Sequence, residues 1–114
     1  MLDDQAIIVK MADNSIGVIT GCSHSGIINI LKYSMKITEL NYIRFVLGGF
    51  HLINASDDRV NLTVHDLKAI NPDYISPMHC SGPRIISKIL NEMPRKFLYL
   101  TAGDQIEFKA TGKL

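Results

Sequence analysis

The hydrophobic positions along the chain switch repeatedly between two periods, and each switch marks an element. Ala6, Ile7, Ile8 and Val9 run together within residues 5–11, Ala12-Asp13-Asn14-Ser15 interrupts, and residues 16–20 turn apolar again. That is the pattern of a β-hairpin. Over residues 26–38 the apolar side chains Ile27, Ile30, Leu31 and Met35 fall at helical spacing, with Ser25 placed as an N-cap. Residues 42–47 form a short strand-like run closed by Gly48-Gly49, and Val60, Val64, Leu67 and Ile70 then trace a second helix, which Pro72 must end. Tyr74 and Ile75 open a strand that runs to Pro77-Met78. Ile85, Ile86, Ile89, Leu90 and Met93 mark a third helix, with Pro83 in its first turn and Pro94 beyond its end. Residues 97–100 and 105–108, either side of Ala102-Gly103-Asp104, are expected to close the chain as two more strands.

The order β-β-α-β-α-β-α-β-β predicts an α/β domain in which right-handed crossovers pair strands in parallel and the hairpin makes the sheet mixed. Crossovers that step one way along the sheet put the helices mainly on one face. Near-continuous apolar strands belong to sheets covered on both faces, so the other face is expected to need a cover that this chain does not supply. No linker or low-complexity tract divides the 114 residues, which are read as one domain.

Composition narrows the function classes. With 46% hydrophobic and 20% charged residues the chain is globular, and a formal net charge of +1 provides no field to recruit nucleic acid or an anionic membrane. The first residues lack the pattern of a signal peptide, and no apolar run reaches the roughly 18 residues of a membrane span. A cytoplasmic protein is expected. Cys22 and Cys80 each stand close to a histidine, which in a reducing compartment favours thiol or metal chemistry over a disulfide; the alternative is that each is a small buried hydrophobe.

The chemistry concentrates at three strand-to-helix corners: Gly21-Cys22-Ser23-His24, Gly48-Gly49-Phe50-His51 and His79-Cys80-Ser81-Gly82. Their histidines recur at nearly equal intervals, each close to the roughly 30 residues of one βαβ unit. In open α/β sheets such corners converge on one crevice outside the carboxyl ends of the strands. Three neutral imidazoles there would make a metal site with an open position. Each histidine alone could instead be an ordinary hydrogen-bonded residue. His65, on the polar side of the second helix, is expected to be solvated and is left out of the set. A rival reading places an anion at the helix N-termini of "SHSGI" and "CSGPR", with Arg84 as a phosphate clamp.

Four stretches, "DDQAIIVK", "GVITGCSHSGIINIL", "VLGGFHL" and "NPDYISPMHCSG", together resemble the metallo-β-lactamase superfamily, in the branch of the 7,8-dihydropterin-6-methyl-4-(β-D-ribofuranosyl)-aminobenzene 5′-phosphate synthases. The likeness spans residues 3–108. It implies a four-layer αββα sandwich with one or two divalent metals at the edge of its two sheets, residues 1–114 being a single half domain, the C-terminal half. The superfamily's H-x-H-x-D-H motif belongs to the N-terminal half and does not occur in these residues. By the same resemblance, His79 in "PMHC" matches the last histidine ligand, and His24 is the next candidate. Many relatives place a metal-bridging aspartate after the glycine that corresponds to Gly21. Cys22 stands there instead, so both Cys22 and His24 remain candidate ligands. His51, in "GGFH", belongs to the branch pattern and either binds the metal or orients a ligand or substrate.

The resulting expectation is the C-terminal half of a metal-dependent hydrolase or synthase for a phosphorylated or pterin-like small molecule, of the methanopterin-biosynthesis type. Zinc suits histidine with thiol, and manganese or iron fits the same donors. The chain is expected to be inactive alone and to need its other half from another polypeptide, or to self-associate into an oligomer. The alternative is a non-catalytic split-gene product or remnant that associates through the uncovered sheet face.

Overall fold

Turn chemistry builds the opening hairpin in the computed structural model, which describes residues 4–108. The Asp13 carboxylate accepts the Ser15 N–H at 3.0 Å, Asn14 takes a left-handed φ of 64°, and the Met11 N–H closes on the Ser15 carbonyl at 2.8 Å. Strand β1 (Ala6–Lys10) thereby pairs antiparallel with β2 (Ile16–Thr20). Helix α1 (Ile27–Thr38) returns the chain to β3 (Ile43–Gly49), and α2 (Asp57–Ile70) to β4 (Tyr74–Met78). Both returns are crossovers, so β3 lies parallel to β2 and β4 parallel to β3, giving a mixed four-stranded sheet in the order β1-β2-β3-β4. A single 3-10 turn, His79–Ser81, leads into α3 (Pro83–Glu92).

The ends of the helices follow local sequence, with two departures. Ser56 caps α2 by accepting the Arg59 N–H, and Asp57 and Asp58 suit its positive end. Ser25 does not cap α1. Gly26 holds that position, and the Ser25 hydroxyl donates to Asp4 at 2.7 Å, because the strand-to-helix corner turns it back toward β1. Ser81 likewise caps nothing, and Gly82 precedes α3.

The sheet's two faces differ. Ile8, Val18, Val46 and Ile75 share one face by register and pack against Leu31, Val64, Leu67, Ile85 and Ile89 of the helices. On the other face Ile7, Val9 and Ile19 are 63%, 40% and 39% exposed. The expected one-sided layering therefore holds.

The two expected closing strands do not form. Phe97 makes one parallel bridge to Ile75, flanked by hydrogen bonds from the Ile75 N–H to Lys96 and from the Leu98 N–H to Ile75. Beyond it Tyr99 is exposed, and the Thr101 N–H bonds the Asp104 carboxylate to make the expected turn without strands beside it. The segment instead lays Phe108 across the outer face, where its ring stacks on Phe45 at 4.3 Å. Phe45 in turn sits over Gly17, where any Cβ would overlap its ring. Half of that face is thus covered by the chain itself, while the β1–β2 half stays bare.

Candidate functional site

Parallel pairing brings the carboxyl ends of β2, β3 and β4 to one edge of the sheet, and the three corners are knitted together there. The Gly49 N–H donates to the Gly21 carbonyl at 2.8 Å, and the Ser23 hydroxyl to the Gly49 carbonyl at 2.5 Å. Thr20 and Ser23 share a hydroxyl hydrogen bond at 2.8 Å. On the other side the Phe50 N–H donates to the Ser81 hydroxyl at 2.9 Å, and that hydroxyl donates to the Met78 carbonyl at 2.8 Å. Ser23 and Ser81 are both buried, so these bonds are made away from competing water. Ser23 was not singled out from the sequence and Ser81 was expected only as a helix cap, although the repeated Cys-Ser of the first and third corners was the available signal.

Glycine is required at one of these joints. A Cβ on Gly49 would lie 2.5 Å from the Gly21 carbonyl oxygen, 3.0 Å from Cys80 Sγ and 3.2 Å from Cys22 Cα. The first and third corners can approach only because position 49 is empty.

Two of the predicted imidazoles meet. The rings of His24 and His51 pack edge to face with centroids 4.4 Å apart. The His24 Nδ1 is buried and has no hydrogen-bond partner among the described residues. A buried nitrogen normally finds a partner, so this atom has capacity for one beyond the described residues. Strain accumulates at the same place. Among the described residues, five non-glycine residues have positive φ; Glu39 and Asn71 cap helices and Asn14 makes the hairpin turn, leaving Ser23 at 64° and His51 at 51°. Such conformations persist where the surroundings enforce them, and they cluster at functional sites.

Electrostatics orders the first corner. The Asp4 carboxylate accepts both the Ser25 N–H, at 3.0 Å, and the Ser25 hydroxyl. These bonds hold its carboxyl below the ordinary aspartate value, and the N–H and ring of His24 act in the same direction. Asp4 is a further residue that sequence reading passed over.

Cys22 is half-buried, and its carbonyl accepts the Cys80 thiol at 3.4 Å. The backbone of His79 opens the 3-10 turn at the third corner, but its side chain lies outside the described residues. Among the described residues, no group of three or more histidine, cysteine or acidic side chains gathers closely enough to hold a metal ion. His65 is exposed on α2, as expected. Arg84 is not available as a phosphate clamp: its guanidinium donates to Asp57 at 2.6 Å and to the Ala55 carbonyl, fastening α3 to the start of α2. Arg59 lines a hollow of about 160 Å³ together with His51, Ile53, Asn54 and Ala55. A larger hollow, about 500 Å³, lies between β1 and α1 against Ile8, Ile30, Tyr33 and Ile37. Its walls are mostly hydrocarbon and its carboxylate, Asp4, is already bonded to Ser25, so it offers no reactive group.

Known proteins share this fold. A metal-dependent hydrolase of the β-lactamase superfamily, known from a crystal structure, superposes with a TM-score of 0.84 at 33% identity, covering 92% of this chain and 40% of that one. The chain belongs to the metallo-β-lactamase superfamily. The 7,8-dihydropterin-6-methyl-4-(β-D-ribofuranosyl)-aminobenzene-5′-phosphate synthase of Methanocaldococcus jannaschii is 33% identical over 107 residues, 94% of this chain and 36% of that protein. An uncharacterised protein of the same organism is 44% identical over 87 residues, 76% of this chain and 30% of its own length. No family model matches. This superfamily chain therefore spans about a third of the length of the curated relatives it matches. Among its described residues, no helix is long and apolar enough to cross a membrane.

Proposed function

We propose that the chain is the C-terminal part of a metal-dependent enzyme that acts on a phosphorylated or pterin-like small molecule, and that chemistry needs the complementary part of the sandwich. The observation that carries this reading is the buried, unbonded His24 Nδ1, on a ring packed against His51 at the edge where three strands end. An imidazole nitrogen of that kind fits a divalent ion, zinc first, with manganese or iron as alternatives. His24 and His51 would hold it, with His79 as the third donor and Cys22 as the alternative to His24. When bound, such an ion supplies Lewis acidity and lowers the pKa of water. The chain's own residues do the rest. Ser23 and Gly49 fix the spacing of the first two corners, Asp4 anchors the first, and the Arg59 guanidinium beside His51 takes the substrate's phosphate.

The relatives support the direction, one being a metal-dependent hydrolase and the other a phosphate synthase. The bare β1–β2 half of the outer face, with Ile7, Val9 and Ile19 exposed, supports association with the complementary part or with a second copy. That same face favours the second reading, a non-catalytic chain that associates through it. Metal content separates the two. Elemental mass spectrometry with light scattering should find about one divalent ion per chain or per dimer, lost in His24→Ala. Absence of metal after zinc, manganese and iron loading would leave only the second reading.

A further inference from the structure

We infer that Cys22 and Cys80 form an oxidisable pair, a site for a disulfide that clamps the first corner to the third. Neither residue is disulfide-bonded in this structure, and both are half-buried rather than sealed in the core. They are 58 residues apart in sequence, yet the Cys80 thiol donates to the Cys22 carbonyl at 3.4 Å. The point where a Cβ on Gly49 would stand is 3.0 Å from Cys80 Sγ and 3.2 Å from Cys22 Cα, so the missing side chain lets the Cys80 thiol come close to the Cys22 backbone. The backbone on both sides is already fixed. Gly49 bonds Gly21, and the Leu52 and Ile53 N–H groups both reach the Cys80 carbonyl at 3.2 and 3.3 Å. A disulfide demands two backbones held close to each other, and these bonds hold the first and third corners in that way.

The oxidant is a peroxide. One sulfur attacks the O–O bond, becomes a sulfenic acid and releases water; the second sulfur displaces the sulfenic hydroxyl as a second water. Two S–H bonds and one O–O bond are lost, and one S–S bond and two water molecules result. The pair adjoins His24 and His79 in sequence, and its oxidation removes Cys22 from any ligand set. The inference itself stands on corner geometry and is independent of the proposed function.

The test is hydrogen peroxide treatment of the purified chain under native conditions, quenched with iodoacetamide and mapped by mass spectrometry. The expected product is an intramolecular Cys22–Cys80 peptide that dithiothreitol releases, absent from Cys22→Ser and from Cys80→Ser. Because the fold holds the thiols together, the bond should form at least about tenfold faster in the native chain than in guanidinium, where a long loop must close by chance. Sulfinic acids at separate cysteines, cross-linked dimers alone, or equal rates in the two solvents would each overturn the inference.

Discussion

Replacing Gly49 by alanine tests whether the three corners form a single joint. The new Cβ meets the Gly21 carbonyl oxygen at 2.5 Å and Cys22 Cα at 3.2 Å, both backbone atoms that cannot swing aside, as well as Cys80 Sγ at 3.0 Å. The corner must open by several tenths of an ångström. Overpacking of this kind costs about 1–3 kcal/mol. Opening also stretches the Gly49-to-Gly21 hydrogen bond and the Ser23-to-Gly49 bond, worth about 1 kcal/mol each at most. A loss of about 2–4 kcal/mol follows, or a fall of roughly 10–15 °C in Tm for a domain of this size. Gly21→Ala is the control. Its Cβ would meet only the Gln5 carbonyl oxygen, at 3.7 Å, so the change should stay within about 0.5 kcal/mol. Urea unfolding followed by circular dichroism reads both variants. Equal midpoints would refute the joint, because the one feature that distinguishes the two glycines is what surrounds the added methyl group.

At position 51 the left-handed φ of 51° makes glycine a better replacement than alanine, so His51→Gly should be more stable than His51→Ala by about 1 kcal/mol in the same assay. Arg44 is 1% exposed between Asp13 and Asp73, and Arg44→Met should cost about 3 kcal/mol by removing the cation beside the buried Asp73 carboxylate, which keeps its bond from the Tyr42 hydroxyl; adding Asp73→Asn should recover part of it. Asp4, Asp13 and Glu92 all titrate below their ordinary values, mainly through bonds from Ser25, from Ser15 and from Lys68 respectively. Carboxyls lowered in the folded state stabilise above their unfolded pKa and lose that contribution as pH falls through the folded value, so urea midpoints should be flat near neutrality and decline below about pH 4. Asp4→Asn should remove its share of that decline.

Seven of the nine expected elements formed because their signals are local. A turn such as Asp13-Asn14-Ser15, a proline such as Pro72 or Pro94, and the spacing of Val60, Val64 and Leu67 act within a few residues, and tertiary contacts only reinforce them. The failed pair depended on a distant partner. Phe97 and Phe108 carry the composition of strand residues, but what each does is set by what it meets: a single bridge to Ile75 for one, the ring of Phe45 for the other. Strand preference measures fitness for a half-buried surface, and either site satisfies it.

The site divides along the same line. Parallel order and corner spacing were enough to bring His24 and His51 into contact, since topology alone sends the ends of β2 and β3 to one edge. What spacing does not encode is which small polar residue bonds across the gap. Ser25 and Ser81 both stood in N-cap positions by sequence, yet both spend their hydroxyls on long-range partners, Asp4 and the Phe50 N–H. A hydroxyl near a helix start can satisfy the local amide or one brought by tertiary structure, and burial decides between them. At Ser81, fully buried, the Phe50 amide would otherwise be left without a partner at the centre of the joint. Gly82 therefore begins α3 while Ser81 ties the second corner to the third, and Gly26 begins α1 while Ser25 ties the first corner to Asp4.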